Sequence, residues 1–393
     1  MKFERLGNII TIAKGKKPAF AESPNENSIR VLQIDDLRND NNIKYTDDKS
    51  GVFAKEDDII LAWDGANAGT IGFGKTGFIG STLAVLRKNN SKEFDTVFIG
   101  KFLQTQFDFL RSKSTGATIP HINRNSLESL KIPCLSLSDQ IQIANILSKA
   151  ETLIEQRKQS IALLDEFLKS SFWEMFGEPG LNDKGFVISK IKEQCQVKGG
   201  KRIPKGSNLI KENTGYPYIK AGNIKNGKIT LKEIEFLTDD LRNKLKRYTV
   251  EKGDVCITVV GVNIGDIGIV PDELHLANLT ENANKLLIKN KDVLSNIYLA
   301  HYLMSNFVQQ DFANSIKATG VPKLALYRIE ETNLLLPPIK LQTQFATIVT
   351  KTETLKEQYK NSLQELENLY GSLSQQAFKG ELVFSKEKSA AEN

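Results

Sequence analysis

Two stretches of this chain carry apolar residues in alternating steps of three and four. In the first, positions 143, 147, 150, 154, 161, 164 and 168 keep the rhythm, and residues 139–176 contain neither proline nor glycine. In the second, Phe345, Val349, Thr352, Tyr359, Leu363, Leu366, Tyr370 and Leu373 keep the same spacing. A seam with a period near 3.5 is the pattern of a coiled coil, where one helix meets another along a narrow stripe. The spacing predicts two long helices, pairing through Ile143, Leu147, Ile154, Ile161, Leu164 and Leu168 on one and Phe345, Val349, Tyr359, Leu363, Leu366 and Tyr370 on the other. Ser138 and Asp139 are the N-cap candidates of the first, and Gly177 and Gly380 stand just past the two ends. Roughly 35 residues at 1.5 Å each make a rod of about 50 Å. The plain alternative is that each helix packs only on its own domain; seams sustained in both stretches favour mutual pairing.

Elsewhere the pattern changes to short β-rich runs separated by Gly, Asn and Asp turns. DDIILAW (57–63) and GDVCITVV (253–260) are the clearest strands. One amphipathic helical stretch interrupts each region, at 94–113 and 294–317, and a TGATIP or ATGVP turn follows each. The expectation is an α+β protein: two globular domains of mixed helix and strand, at 1–137 and 179–338, separated by two long antiparallel coiled-coil helices, at 138–178 and 339–384. Residues 177–185 serve as a short linker, and 385–393 read as a disordered tail.

The chain is also written twice. QIQIANILSKAETLIEQRK (140–158) matches QTQFATIVTKTETLKEQYK (342–360) at 11 of 19 positions without a gap, Gln140/Gln342 and Glu151/Glu353 among them. The same offset pairs Pro120 with Pro322. A slightly shorter one pairs DGANAGTIG (64–72) with VGVNIGDIG (260–268), and VLQIDDL (31–37) answers YIKAGNI (218–224). This internal repeat implies an approximate two-fold relation, with similarity high in the helices and thin in the domains.

The repeat disposes of a tempting motif. GTIGFGKT (69–76) fits the phosphate-loop pattern, but the second copy reads GDIGIVPD and lacks the Gly-Lys-Thr half. A phosphate loop also needs a helix after it, whose N-terminal amides hold the anion, and FIGSTLAVLRK reads instead as strand. The overlapping Gly72, Gly74 and Gly77 pattern fails for the same reason. No nucleotide or other cofactor is expected.

Composition is that of an ordinary globular protein, with a net charge of +6 and a pI near 8.9. That is compatible with a polyanionic partner without demanding one. Cys134, Cys195 and Cys256 are widely spaced, as expected of small buried hydrophobes in a reducing compartment, and the N-terminus lacks a signal-peptide core. A cytoplasmic location without membrane contact is the expectation. His121, His275 and His301 are isolated, Glu56-Asp57-Asp58 and Asp239-Asp240 read as solvated turns, and neither catalytic nor metal-ligating residues are expected.

Basic residues gather at corresponding places in both halves. One pair of clusters is AKGKKP (13–18), with Lys16 and Lys17, and VKGGKRIPKG (197–206), with Lys198, Lys201, Arg202 and Lys205. The other is RSKSTGATIPHINR (111–124), with Arg111, Lys113, Thr115, His121, Asn123 and Arg124, and IKATGVPKLALYR (316–328), with Lys317, Thr319, Lys323 and Arg328. Cations beside small hydroxyl residues in turn-bounded loops suit phosphate contacts, with Asn, Arg or His available for base edges. These are the candidate DNA-binding residues.

With IPCLSLSDQIQIANILSKAETLIEQ (132–156), LPPIKLQTQFATIVTKTETLKEQ (336–358) and the closing AFKGEL (377–382), the chain resembles the specificity subunit of type I restriction–modification systems. The likeness covers nearly the whole chain. The first copy departs slightly, with Cys134-Leu135 where the second has Leu336-Pro337. The resemblance implies two target recognition domains, each reading one half of a bipartite double-stranded DNA site, and helices that fix the half-site spacing. It implies two methyltransferase (M) subunits as partners, two restriction (R) subunits in complexes that also cleave, and no catalysis by the chain itself. Readers held apart by a rod of about 50 Å meet the duplex one to one and a half turns apart. The rival readings are a coiled-coil scaffold that never touches DNA and a phosphate-loop enzyme.

Overall fold

The structure, a computed structural model, describes residues 2–89, 93–114, 120–316 and 322–382. The chain divides into two compact units, Met1–Gln159 with Lys360–Asn393, and Ser160–Tyr359. Both boundaries between these units fall within the long helices. The principal helices are α1 (Thr96–Thr105), α2 (Leu137–Phe176), α3 (Asn296–Leu303) and α4 (Ile339–Lys379).

The first unit is built on a four-stranded antiparallel sheet of β1 (Ile10–Lys14), β2 (Ile59–Ala62), β3 (Ile71–Phe73) and β4 (Leu83–Lys88), in spatial order β1-β4-β2-β3. Beside it, Ile29–Leu32 pairs in parallel with Gly77–Ile79, flanked by Lys44–Thr46 and Phe53–Ala54. The second unit repeats the plan. Its β5 (Cys195–Gly199), β6 (Val255–Thr258), β7 (Ile267–Ile269) and β8 (Ala283–Ile288) follow the order β5-β8-β6-β7, extended by Gly227–Ile229 and Ile224–Lys225. A parallel pair, Pro217–Ile219 with Asn278–Leu279, again lies alongside. DDIILAW and GDVCITVV thus become the equivalent central strands β2 and β6. Their residues Ile59–Ala62 and Val255–Thr258 are buried throughout, which is why they read as continuous apolar runs. Each amphipathic stretch is two shorter helices: α1 and Phe107–Ser112, then α3 and Asn306–Ser315.

The long helices close these cores reciprocally. In the first unit, Ile143 and Leu147 of α2 are fully buried beside Phe98 and Phe102, and the end of α4 completes the cluster with Ala377 and Phe378. The Phe378 ring lies 5.3 Å from Phe98 and 5.5 Å from Phe102. In the second unit, Phe345 and Val349 of α4 are buried and the end of α2 completes the cluster with Leu168, Phe172 and Phe176. Phe176 lies 4.7 Å from Tyr298 and 5.4 Å from Phe345. Each repeat's helix therefore finishes the core of the other repeat's domain.

Within each unit the two helices also touch directly. In the first, Tyr370 Oη donates to Glu151 at 2.6 Å, Lys158 meets Glu367 at 3.1 Å, and the buried Lys101 of α1 pairs with Glu151. In the second, Lys356 pairs with Asp165. Partner numbers run in opposite directions along the two helices, so the pairing is antiparallel. None of the twelve proposed seam residues is exposed: Ile143, Leu147, Leu168, Phe345 and Val349 are buried, and Ile154, Ile161, Leu164, Tyr359, Leu363, Leu366 and Tyr370 are half-buried.

Two expectations need correction. Neither Ser138 nor Asp139 is the N-cap of α2: Ser136 is, its hydroxyl accepting from the Asp139 amide at 3.1 Å and donating to the Asp139 carboxylate at 2.7 Å. Asp58 is not a solvated turn residue but is buried and held by Arg87 at 2.6 Å. His301 packs beside Phe172 and Phe345, and that burial pushes its pKa down to about 4, against the pull of Glu353. Gly177 and Gly380 do follow the helix ends, with φ of 72° and 73°. Cys195 and Cys256 are buried free thiols, and Cys134 is half-buried. The proposed tail at 385–393 lies outside the described residues.

Candidate nucleic-acid interface

In both units the repeated glycine segment forms a tight tip between two neighbouring antiparallel strands. In the first it joins β2 to β3 through Gly65 and Gly69, with φ of 95° and 99°. In the second it joins β6 to β7 through Gly261 and Gly265, with φ of 112° and 96°. These values lie in the left-handed region that side chains avoid. Equivalent backbone bonds brace both tips. Gly69 donates to Ala62 O at 2.8 Å and Gly265 to Thr258 O at 2.9 Å, while Thr70 and Asp266 each donate to the tip asparagine carbonyl, of Asn67 and Asn263, at 3.1 Å.

The segments carrying the basic clusters converge on these tips. In the first unit Gly65 donates to Pro120 O and Ile122 to Trp63 O, both at 2.9 Å, which lays residues 120–122 along the tip. His121 Nδ1 then lies 2.6 Å from one oxygen of Asp64 and Lys14 Nζ 2.8 Å from the other. Burial would raise the Asp64 pKa, but the bonds from His121 and Lys14 outweigh it and hold the carboxyl below its usual value. From the other side Arg111 donates to Ala66 O at 3.0 Å, and Arg38 to the Asn67 side chain at 2.7 Å. In the second unit Lys323 bridges Val260 and Leu324 donates to Val259 O at 2.9 Å, the same arrangement.

The chain reaches the first clusters by a turn that only glycine permits. A Cβ on Gly15 would lie 2.3 Å from Gly80 O, and one on Gly200 would lie 2.1 Å from Thr280 O. Beyond these glycines Lys16, Lys17, Lys201, Arg202 and Lys205 are exposed. Arg202 is anchored on Glu281 at 2.5 Å, and Lys201 lies over the Tyr248 ring. Lys198, with Arg247 and Lys285, lines a cavity of about 280 Å³ floored by Gly199 and Gly200 and bordered by Leu326.

Other candidates are less directly placed. Asn123 spends its side-chain oxygen capping the helix Arg124–Glu128, and Arg124 pairs with Glu128 at 2.7 Å. Lys113 is exposed just past Phe107–Ser112, and Arg328 folds over the Tyr327 ring. Thr115, Lys317 and Thr319 lie outside the described residues. Sequence reasoning did not single out Lys14, Arg38, Asp64 and Asn67; of these Lys14 carried a signal, its place inside the AKGKKP cluster, and so did Asn67, by its identity with Asn263 in the repeat.

The phosphate-loop resemblance has no structural counterpart. Residues 71–73 are strand β3, residues 77–79 are strand again, and no helix follows. Lys75 pairs with Asp40 at 2.8 Å, and the hydrogen bonds from Arg30 and Lys75 hold Asp40 down to about 2. Among the described residues no group of three or more His, Cys, Asp or Glu could hold a metal, and no helix is long and apolar enough to cross a membrane.

The family model for the type I restriction modification DNA specificity domain matches residues 1–164 and again residues 183–368. The specificity subunit of the type I restriction enzyme MjaVIII, from Methanocaldococcus jannaschii, is 28% identical over 380 residues, covering 92% of this chain and 88% of its own. That of EcoBI, from Escherichia coli, is 20% identical, covering 91% of this chain and 81% of its own. A crystal structure of a type I restriction–modification S subunit from M. genitalium has the same fold, with a TM-score of 0.60 at 18% identity over 96% of each chain.

Proposed function

Since this chain belongs to the type I restriction–modification DNA specificity family, we propose that each unit reads one half of a bipartite duplex and that α2 and α4 fix the distance between the halves. DNA sequence specificity is the role of the family; the division of labour is our reading. The observation that carries it is the repeated glycine tip, held by the same backbone bonds in both units and approached in both by basic segments. Lysine and arginine side chains there set affinity and register through phosphates, while the tip itself faces base edges. The units share a plan, and the tip asparagine, but differ at Asp64/Val260, Ala66/Val262, Ala68/Ile264 and Thr70/Asp266, as suits two readers of different half-sites.

The paired helices offer each unit an equivalent outer surface, which suits the docking of two methyltransferase subunits related by the same approximate two-fold. Methyl transfer, ATP hydrolysis and cleavage then belong to partners, and this chain contributes recognition and spacing. Exchanging residues 1–137 for those of another family member, followed by mapping of methylated motifs in the host genome, tests the reading. One half of the motif changes and the other stays. A motif altered in both halves, or in neither, refutes it.

A further inference from the structure

Val262 is a β-branched apolar residue with 100% of its surface exposed, at the summit of the second tip. A single exposed valine is unremarkable on a flat surface. This one stands on a braced turn. Gly261 and Gly265 set its geometry, Lys323 bridges the preceding Val260, and Gln309 Nε2 donates to Gly265 O at 3.0 Å behind it. The equivalent summit of the first unit carries Ala66, whose carbonyl is taken by Arg111, beside Asn67, whose amide oxygen is taken by Arg38. The same scaffold thus presents a small, polar-clamped summit in one unit and a bulky apolar one in the other.

In the major groove, apolar side chains distinguish one base from the rest through the C5-methyl group of thymine. We infer that Val262 contacts a thymine methyl in the half-site read by the second unit, and so acts as a specificity-determining residue. The inference rests on the proposed division of half-sites. Lysines and arginines around the tip hold the duplex in register, and Val262 supplies one base preference by excluding water from a methyl group. Its counterpart Ala66 has two carbons fewer and supplies less.

The chemical probe is uracil, which differs from thymine at that position only by the missing methyl. The complex with methyltransferase subunits is bound to its own duplex, with each thymine of the second unit's half-site replaced by uracil in turn. Wild-type complex loses binding about fourfold at one position, the factor that burying one methyl-sized group supplies. Val262→Ala binds the thymine duplex more weakly by a similar factor and no longer responds to uracil there. Val262 is wholly exposed, so this variant folds as the wild type does. A half-site without thymine, a wild-type complex indifferent to every replacement, or a Val262→Ala complex with the wild-type response overturns the inference while leaving the recognition reading intact. Loss of sequence-specific binding by the wild-type complex itself strikes that reading instead.

Discussion

Gln342 sits at the start of α4 with no exposed surface, and its amide makes three hydrogen bonds. Its oxygen accepts from the Ser295 amide at 2.8 Å, and its nitrogen donates to Val293 O at 2.9 Å and Pro337 O at 2.8 Å. One side chain thereby ties the first turn of α4 to the first turn of α3. Gln140 does the same in the first unit, accepting from the Asp95 amide at 2.9 Å and donating to Glu93 O at 2.7 Å and Leu135 O at 2.9 Å. Gln342→Ala strands one buried N–H and removes a donor from each of two carbonyls. An unmet buried group costs about 1–3 kcal/mol, and carbonyls with a second lone pair cost less, so the total is about 3 kcal/mol. A two-unit chain has no single unfolding free energy, so local hydrogen exchange at Ser295 is the appropriate measure. Protection there falls roughly a hundredfold. Gln342→Glu separates hydrogen bonding from packing, because the shape is kept while a carboxylate faces two carbonyl oxygens. At pH 8 it is worse than the alanine variant. Burial and those carbonyls raise its pKa, so its deficit relative to wild type shrinks as pH falls through the raised pKa and the neutral acid donates one bond. A Gln342→Ala protein within 0.5 kcal/mol of wild type, or a glutamate variant at pH 8 as protected as wild type, refutes the clamp.

Reciprocal closure predicts crossed effects. Phe176→Ala costs about 3–5 kcal/mol and lowers exchange protection around Tyr298 and Phe345, whereas Phe378→Ala, only half-buried, costs about 2–3 kcal/mol around Phe98 and Phe102. Loss of protection confined to the domain preceding each helix would contradict it. His301 has a folded pKa of about 4 against an unfolded value near 6.5, so its contribution, on the order of 3 kcal/mol, is intact above pH 6.5 and is lost as pH falls towards 4. In His301→Leu the acid slope of second-unit stability, followed by thermal melting between pH 7 and 4, flattens. Inserting one heptad into α2 and α4 together lengthens the methylated motif's spacer and leaves both half-sites unchanged, as read by motif mapping.

The helices were legible because a repeated seam is a local property, visible in the spacing of apolar residues and doubled by the repeat. The two core sheets were legible only at β2 and β6, whose burial on both faces leaves continuous apolar runs. The completion of each core by the other repeat's helix was not legible, because it depends on contacts such as Phe378 with Phe98, about 280 residues apart in the chain. The cap of α2 was missed by two residues because the apolar rhythm begins only at Ile143, while the capping serine precedes it at Ser136. Asp58 misled for a similar reason: its partner Arg87 lies on the neighbouring strand, 29 residues away. At the candidate interface the glycines marked the tips and the lysines marked their flanks. Lys14 stood in the marked AKGKKP cluster without its partner being visible, and Arg38 gave no sign, since only the fold brings them to Asp64 and Asn67; a valine such as Val262 reads as core until its exposure is known.

The uneven likeness of the two halves follows from these contacts. A residue such as Gln140 or Gln342 meets three backbone groups in a fixed geometry, and backbone geometry is the same in both units whatever side chains the domains carry. Glu151 and Glu353 show how far such a position tolerates change. Glu151 neutralises the buried Lys101, whereas Glu353 stands near His301 and pairs with Lys228. The carboxylate is retained while its partner on the domain side differs. Each long helix must also serve two masters: its first half packs on the domain that precedes it, and its last half completes the core of the other domain. A substitution in a helix is therefore tested twice, against two different cores. A substitution on a glycine-braced tip, such as Ala66 against Val262, is tested by neither, because the turn is held by backbone bonds and the side chains at these two positions face solvent. That physical separation lets the tips vary freely in what they present while the frame that positions them stays the same.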